Sequence, residues 1–107
     1  TYKIGIPIYI TENGTFNCNE TVQPDGRIHD EQRIQYIRGF LGWIHKAMEE
    51  GADIRGYYAW STMDLYSWVN GYEKRYGLVR VDFEDNCRRI PKKSYGWYKQ
   101  LIEDFQK

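Results

Sequence analysis

A short apolar strand, a long amphipathic helix and a second strand follow one another directly, and that order restricts the fold more than anything else in the 107 residues. Ile6-Pro7-Ile8-Tyr9-Ile10 is a nearly continuous apolar run between Gly5 and Asn13-Gly14. Such a run reads as a strand buried on both faces, the kind found in parallel sheets. From Asp30 the period changes, and Ile34, Ile37, Leu41, Ile44 and Met48 form one stripe at helical spacing. Asp30 can cap the start of that helix, and Gly51 stands where a left-handed residue ends it. Ile54-Arg55-Gly56-Tyr57-Tyr58-Ala59-Trp60 then reads as the second strand. A strand, a crossover helix and a second strand predict a parallel pair with a right-handed connection.

The rest of the chain repeats the plan. Residues 14–29 are polar, with Pro24-Asp25-Gly26 as a turn signal, and residues 61–75 are a long polar-aromatic loop. Leu78 to Phe83 is extended. A final helix starts near Lys93, with Ser94 as a cap and Tyr98, Leu101, Ile102 and Phe105 as its inner face. The order β-loop-α-β-loop-α gives two βα units, which cannot close a barrel, since a whole (β/α)8 barrel takes about 250 residues. Either the chain is a portion of something longer, as its start almost directly in a strand suggests, or it buries its open edges by self-association.

Charge and composition narrow the partners. Fifteen basic and fifteen acidic residues balance to zero, which argues against a nucleic-acid or membrane-surface binder, because both need a basic excess. No apolar run approaches the roughly 20 residues of a membrane span. Cys18 and Cys87 are far apart and outside any CxxC pattern, so two unpaired cytosolic thiols are expected. Asn13-Gly14-Thr15 and Asn19-Glu20-Thr21 match the glycosylation sequon, which matters only in a secreted protein. Aromatic residues make up 17% of the chain, a density that suits a large core or the stacking faces of a carbohydrate site.

In α/β proteins function gathers at the C-terminal ends of the strands, and both strands here end in residues with chemistry to offer. The first runs into Ile10-Thr11-Glu12-Asn13-Gly14, which sets a carboxylate just past a buried strand. Glu12 is then either aimed at a ligand or a surface residue in an Asn-Gly turn. The second ends in Trp60-Ser61, followed by Asp64, Tyr66-Ser67-Trp68 and Gly71-Tyr72-Glu73-Lys74-Arg75-Tyr76-Gly77. That stretch is either a binding loop rich in rings, hydroxyls and cations, or a solvated loop with aromatic anchors. His29 and His45 have no ligand-like spacing, and His45 reads as a helix-surface residue.

Taken together, Ile-Thr-Glu-Asn-Gly at a strand end, then Trp-Ser, then a Trp-containing loop with Gly-Tyr-x-Lys-Arg-Tyr-Gly, resembles family 1 glycoside hydrolases. The resemblance extends to Pro91-Lys92-Lys93-Ser94 and Trp97-Tyr98. It implies an α/β fold in which residues 1–107 form the C-terminal (βα)2 part, units seven and eight, of a (β/α)8 TIM barrel with no separate second domain. Glu12 falls on the family's nucleophile, which in a retaining glycosidase attacks the anomeric carbon. A second carboxylic acid, about 5–5.5 Å away, protonates the leaving oxygen and later activates water. In this family that acid lies in an Asn-Glu-Pro motif near the end of strand four, and no Asn-Glu-Pro occurs in this chain. The isolated chain is therefore expected to be inactive.

Trp60 falls on the tryptophan that floors the sugar subsite. Many family members read Phe-Glu-Trp in the sugar-binding loop, where the Glu holds hydroxyls of an unphosphorylated sugar; here the loop reads Tyr66-Ser67-Trp68. Serine there, with Lys74 and Tyr76 after it, resembles the 6-phospho-β-glycosidase branch, in which Ser67, Lys74 and Tyr76 fall on the phosphate-binding residues. The charges agree. Phosphate wants an ammonium and hydroxyl donors, and a carboxylate in place of Ser67 would oppose it, one unit pair at 4 Å being worth roughly 4 kcal/mol at an effective dielectric near 20. The resemblance thus implies a phosphorylated disaccharide or aryl 6-phospho-β-glycoside as substrate, a cytoplasmic location, no metal or organic cofactor, and the N-terminal part of the barrel, or a second copy, as the partner that completes the fold. A β-glucosidase for unphosphorylated sugars and a non-catalytic, self-associating quarter-barrel are the alternatives.

Overall fold

Pro7 cannot donate to a sheet, and the first strand accordingly begins one residue later. The structure, a computed structural model, describes residues 5–18 and 20–106; Asn19, and with it part of the second sequon, lies outside the described residues. Six elements follow in chain order: β1 (Ile8–Asn13), α1 (Glu31–Glu49), β2 (Ile54–Ala59), β3 (Val79–Asp82), β4 (Arg88–Pro91) and α2 (Lys93–Phe105). β1 and β2 pair in parallel, joined by α1, as the strand–helix–strand order predicts. β3 and β4 form an antiparallel hairpin that carries the chain from the long loop into α2.

Two expectations about β1 need correction. The strand runs on through Glu12 and Asn13 rather than ending at Ile10, so the glutamate belongs to the strand. Nor is β1 buried on both faces: Ile8 and Ile10 are half-buried, while Tyr9 is 54% exposed. Among the described residues it has one strand neighbour, and Tyr9 and Thr11 on its second face are exposed.

The helix stripe is real but fades along its length. Ile34 and Ile37 are buried, Leu41 and Ile44 half-buried, and Met48 exposed. α2 behaves alike, with Tyr98 and Leu101 half-buried but Ile102 and Phe105 open to solvent, Phe105 at 84%. The helix ends also differ from expectation. Gly51 does take a positive φ of 104° just after α1, a conformation open to glycine at little cost. Asp30 precedes α1 but does not cap it with its side chain. Its carboxylate reaches across to α2, accepting bonds from the backbone N–H and the hydroxyl of Ser94. Ser94 is therefore no cap: Lys92 holds that position, and Ser94 is fully buried inside the first turn.

The hairpin was legible only as a single extended segment. Asn86 and Cys87 both adopt positive φ at its turn, geometry that matches the twist of a hairpin and that Asn tolerates better than most residues. Cys87 and Cys18 are both exposed free thiols.

Beside the small apolar core of Ile28, Ile34 and Ile37 lies a largely buried ionic network. Glu20, Asp30 and Asp64 meet Arg33, Arg75 and Lys92 in a network that ties the loop after β1 to α1, the hairpin and the start of α2. Lys92 Nζ lies 2.5 Å from Glu20 and 2.8 Å from Asp64, Arg75 reaches Asp64 at 2.9 Å, and Arg33 touches both Glu20 and Asp30. Three carboxylates against three cations leave no uncompensated charge, which is the condition for burying them at all.

Candidate functional site

The register of β1 against β2 decides where Glu12 points. Ile10 pairs with Tyr57, but the next pair is Asn13 with Ala59, so β1 advances one residue more than its partner there, offsetting an opposite shift between Ile8 and Tyr9. An extra residue of this kind is a bulge, which bends the strand and re-aims a side chain. The exposure pattern records it: Ile8 and Ile10 are turned inward, Tyr9 and Thr11 outward, and Glu12 breaks the alternation by facing outward beside Thr11. Among the described residues Glu12 has no hydrogen bond or ion pair, so its carboxylate is uncommitted. Asn13 is committed, accepting a bond from the Tyr57 hydroxyl at 2.9 Å. Burial, with Tyr98 and Tyr36 nearby, pushes that phenol up to about 12, so it remains a neutral donor at ordinary pH.

Gly14 explains why the strand is followed by Asn-Gly. It is not the left-handed glycine of a tight turn. The backbone of Trp60 lies directly against it, and a Cβ there would sit 1.8 Å from the Trp60 carbonyl oxygen. The Trp60 N–H donates to the Asn13 carbonyl at 2.7 Å, and the Trp60–Ser61 peptide bond is cis. Glu12 and Trp60 thus stand at the C-terminal ends of adjacent parallel strands, with the indole 42% exposed.

The long loop after β2 is closed at its base. Ser61 N–H donates to Tyr76, Leu78 N–H to Ser61, Val79 N–H to Thr62 and Asp64 N–H to Val79, so 61–64 and 76–79 zip together. Gly77 is required there, because a Cβ would meet the Met63–Asp64 backbone at 2.2–2.3 Å. Asp64 holds the base from beneath, accepting bonds from Gly77 N–H, Lys92 and Arg75. Burial would raise its carboxyl, but the bonds from Arg75 and Lys92 outweigh burial and hold it below the ordinary value of 3.8.

Within that closed excursion, Ser67 and Gly71 exchange two backbone hydrogen bonds. The Ser67 hydroxyl accepts from the N–H groups of Val69 and Asn70, which leaves its own proton to donate. The Tyr76 hydroxyl accepts from the Asn70 amide at 2.9 Å and keeps its proton too. Lys74 Nζ sits over the face of Phe16 at 4.0 Å, and the Phe16 ring lies 5.9 Å from that of Tyr76. Among the described residues Lys74 has no carboxylate partner. Trp68 is 98% exposed at the tip of the loop and touches none of these groups.

The strand that carries Glu12 and the loop that carries Lys74 are joined. Asn17 and Arg75 exchange backbone hydrogen bonds at 2.9–3.0 Å, an isolated antiparallel bridge. The structure therefore groups Glu12 with Trp60, and Ser67 with Lys74 and Tyr76, and stitches the two groups through residues 14–17. Sequence reasoning missed Phe16 and the Asn17–Arg75 bridge. The one available signal was an apolar residue, Phe16, in an otherwise polar stretch. His29 and His45 are exposed and paired with Asp25 and Glu49, away from all of this.

The comparisons with known proteins agree on one family. The family model described as glycosyl hydrolase family 1 matches residues 1–106. The chain is similar to the 6-phospho-beta-galactosidase of Staphylococcus aureus strain JH9, at 52% identity over 96 residues, which is 90% of this chain and 20% of that protein. Its structure is similar to the family 1 beta-glucosidase of Thermotoga maritima, with a TM-score of 0.86 at 41% identity over 91% of this chain and 21% of that one. The same enzyme in complex with noeuromycin gives 0.84 at 42% identity, over 89% of this chain. The chain spans about a fifth of the length of these relatives.

Proposed function

Because the chain belongs to glycosyl hydrolase family 1, we propose that it supplies the last two βα units of a (β/α)8 barrel, with the nucleophile and phosphate-recognising loop of a retaining 6-phospho-β-glycosidase. The observation that carries this reading is the joining of the uncommitted carboxylate of Glu12, through the Asn17–Arg75 bridge, to a loop whose one lysine has no carboxylate partner among the described residues. Exposed faces on β1 and α2, with Tyr9 and Phe105 in the open, support the partial barrel, since neighbouring units would cover them.

Glu12 attacks the anomeric carbon as the glycosidic bond breaks, and the leaving oxygen takes a proton from a carboxylic acid elsewhere in the barrel. Water then gives that same carboxylate its proton, attacks the anomeric carbon and releases Glu12, with net retention. Trp60 offers its exposed ring to the C–H face of the sugar, and Ser67, Lys74 and Tyr76 offer an ammonium and two hydroxyl protons to the 6-phosphate. Two carboxyl groups and water complete the cycle, so the chemistry calls for no cofactor. The substrate is a phosphorylated disaccharide or aryl 6-phospho-β-glycoside in the cytoplasm. The resemblance to a 6-phospho-beta-galactosidase makes the galacto-configured sugar the first to assay, and the resemblance to beta-glucosidases makes the unphosphorylated glucoside its comparison.

The test is made in the full chain, meaning the complete barrel of which residues 1–107 are the proposed C-terminal part. Glu12→Gln should still bind substrate yet lose several orders of magnitude in rate. Azide should partly rescue Glu12→Gly and give product of inverted configuration, because a small anion occupies the vacated space. A Glu12→Gln variant that kept most of its activity would make Glu12 a strand-end surface residue and end the assignment.

A further inference from the structure

Lys74 is held in an unusual way for a loop lysine. Elsewhere among the described residues, lysines meet carboxylates or, at the surface of α1, the ring of Trp43. Lys92 lies between Glu20 and Asp64, Lys93 meets Glu31, and Lys99 approaches Glu103. Lys74 instead lies 4.0 Å above the ring of Phe16, which belongs to the segment following the Glu12 strand. The same ring approaches Tyr76 at 5.9 Å. Asn17, the next residue, pairs through its backbone with Arg75, between Lys74 and Tyr76. The ring is therefore fixed against the loop at the very residues assigned to phosphate.

We infer that Phe16 is a positioning residue for phosphate recognition: its ring face orients the Lys74 ammonium without neutralising it. The inference rests on the reading of Lys74 as the phosphate cation. An aromatic face suits this task better than a carboxylate. It attracts an ammonium weakly, so an incoming phosphate does not have to displace an anion. It also limits the rotamers of a side chain that otherwise carries a large conformational entropy. An ammonium has three N–H donors, so one can lie over the ring while two remain for phosphate oxygens. Discrimination for phosphorylated sugar would thus depend on a residue outside the Ser67, Lys74 and Tyr76 trio that lies on the nucleophile's side of the site.

The experiment measures kcat and KM in the full chain for one 6-phospho-β-glycoside and its unphosphorylated analogue. The parent, Phe16→Leu, Phe16→Tyr, Lys74→Met and the Phe16→Leu/Lys74→Met double variant are compared. Phe16→Leu should raise KM for the phosphorylated substrate about two- to thirty-fold, the range of a cation–π contact, with kcat little changed. Phe16→Tyr, which keeps a ring face, should restore the parent value. In the Lys74→Met background, Phe16→Leu should have no further effect. A second loss of similar size in that background would mean that Phe16 acts through Tyr76 or the loop backbone, and would overturn the inference. So would an unaltered KM in Phe16→Leu, or a Phe16→Tyr variant no better than Phe16→Leu. A parent that prefers phosphorylated sugar while Phe16→Leu leaves that preference intact overturns the inference alone; a parent with no such preference overturns the phosphate reading and the inference with it.

Discussion

Gly14→Ala is the smallest change that should part Glu12 from Trp60. The added methyl would lie 1.8 Å from the carbonyl oxygen of Trp60 and 2.8 Å from its carbon, both backbone atoms that cannot swing aside. The ends of β1 and β2 must part by more than ~1 Å to admit it, and a displacement of that size between reacting groups costs on the order of 10²-fold in rate. Opening the gap also threatens the Asn13–Trp60 hydrogen bond of 2.7 Å, worth about 0.5–1.5 kcal/mol. Gly56→Ala is the matched control: its methyl would meet the ring of Tyr9 at 2.7 Å, side-chain atoms that yield more readily than a backbone carbonyl. Steady-state kinetics in the full chain, with thermal melts beside them, should show Gly14→Ala losing kcat/KM by about a hundredfold or more. Gly56→Ala should stay close to the parent. If Gly14→Ala kept parental kcat/KM, the packing of Trp60 against the end of the Glu12 strand would have no bearing on activity, and Gly14 would not be what aligns the two strand ends.

Two further outcomes follow from the fold and its ionic core. The purified 107-residue chain should show no turnover of a nitrophenyl 6-phospho-β-glycoside, because nucleophile and acid act as a unit, and it should self-associate through the uncovered faces of β1 and α2; turnover within about tenfold of a complete enzyme, or a stable monomer in sedimentation, contradicts this. Asp64→Asn should destabilise the full chain by about 3–5 kcal/mol, the usual cost of breaking a buried pair. The parent carboxyl is held below its ordinary 3.8, so its contribution is complete above that pH and lost as pH falls through the lower native value. Melting temperature should therefore drop in acid for the parent and less steeply for Asp64→Asn, and parallel curves would contradict the assignment.

Local signals in the sequence carried the local structure. The stripe from Ile34 to Met48 specifies α1 because helical contacts span three or four residues, and the apolar runs around Ile8 and Ile54 mark two strands that do pair in parallel. What escaped was set by contacts between distant segments. The bulge that turns Glu12 outward exists only in the register with Tyr57 and Ala59. Gly14 looks like a turn residue until Trp60 is laid against it. Asp30 has the sequence of a helix cap, yet its carboxylate is claimed by Ser94, far along the chain. A lysine beside Pro91 gives no hint that it will be buried between two carboxylates, and the Phe16–Lys74 contact joins segments that carry no mutual pattern. The candidate site was thus readable as a set of residue types, but not as an arrangement.

The phosphate preference is the most direct test of the central claim. kcat/KM for a 6-phospho-β-glycoside and its unphosphorylated counterpart should be measured in the full chain, in Lys74→Ala and in Ser67→Glu. A charge-assisted bond to phosphate contributes about 1.5–3 kcal/mol, or roughly 10- to 150-fold. Lys74→Ala should lower kcat/KM for the phosphorylated substrate by at least about tenfold and barely alter the other. Ser67→Glu, which brings a repelling carboxylate to the same place, should move the preference toward the unphosphorylated sugar. A phosphate preference that Lys74→Ala leaves unchanged would contradict the claim and leave an ordinary β-glucosidase in its place.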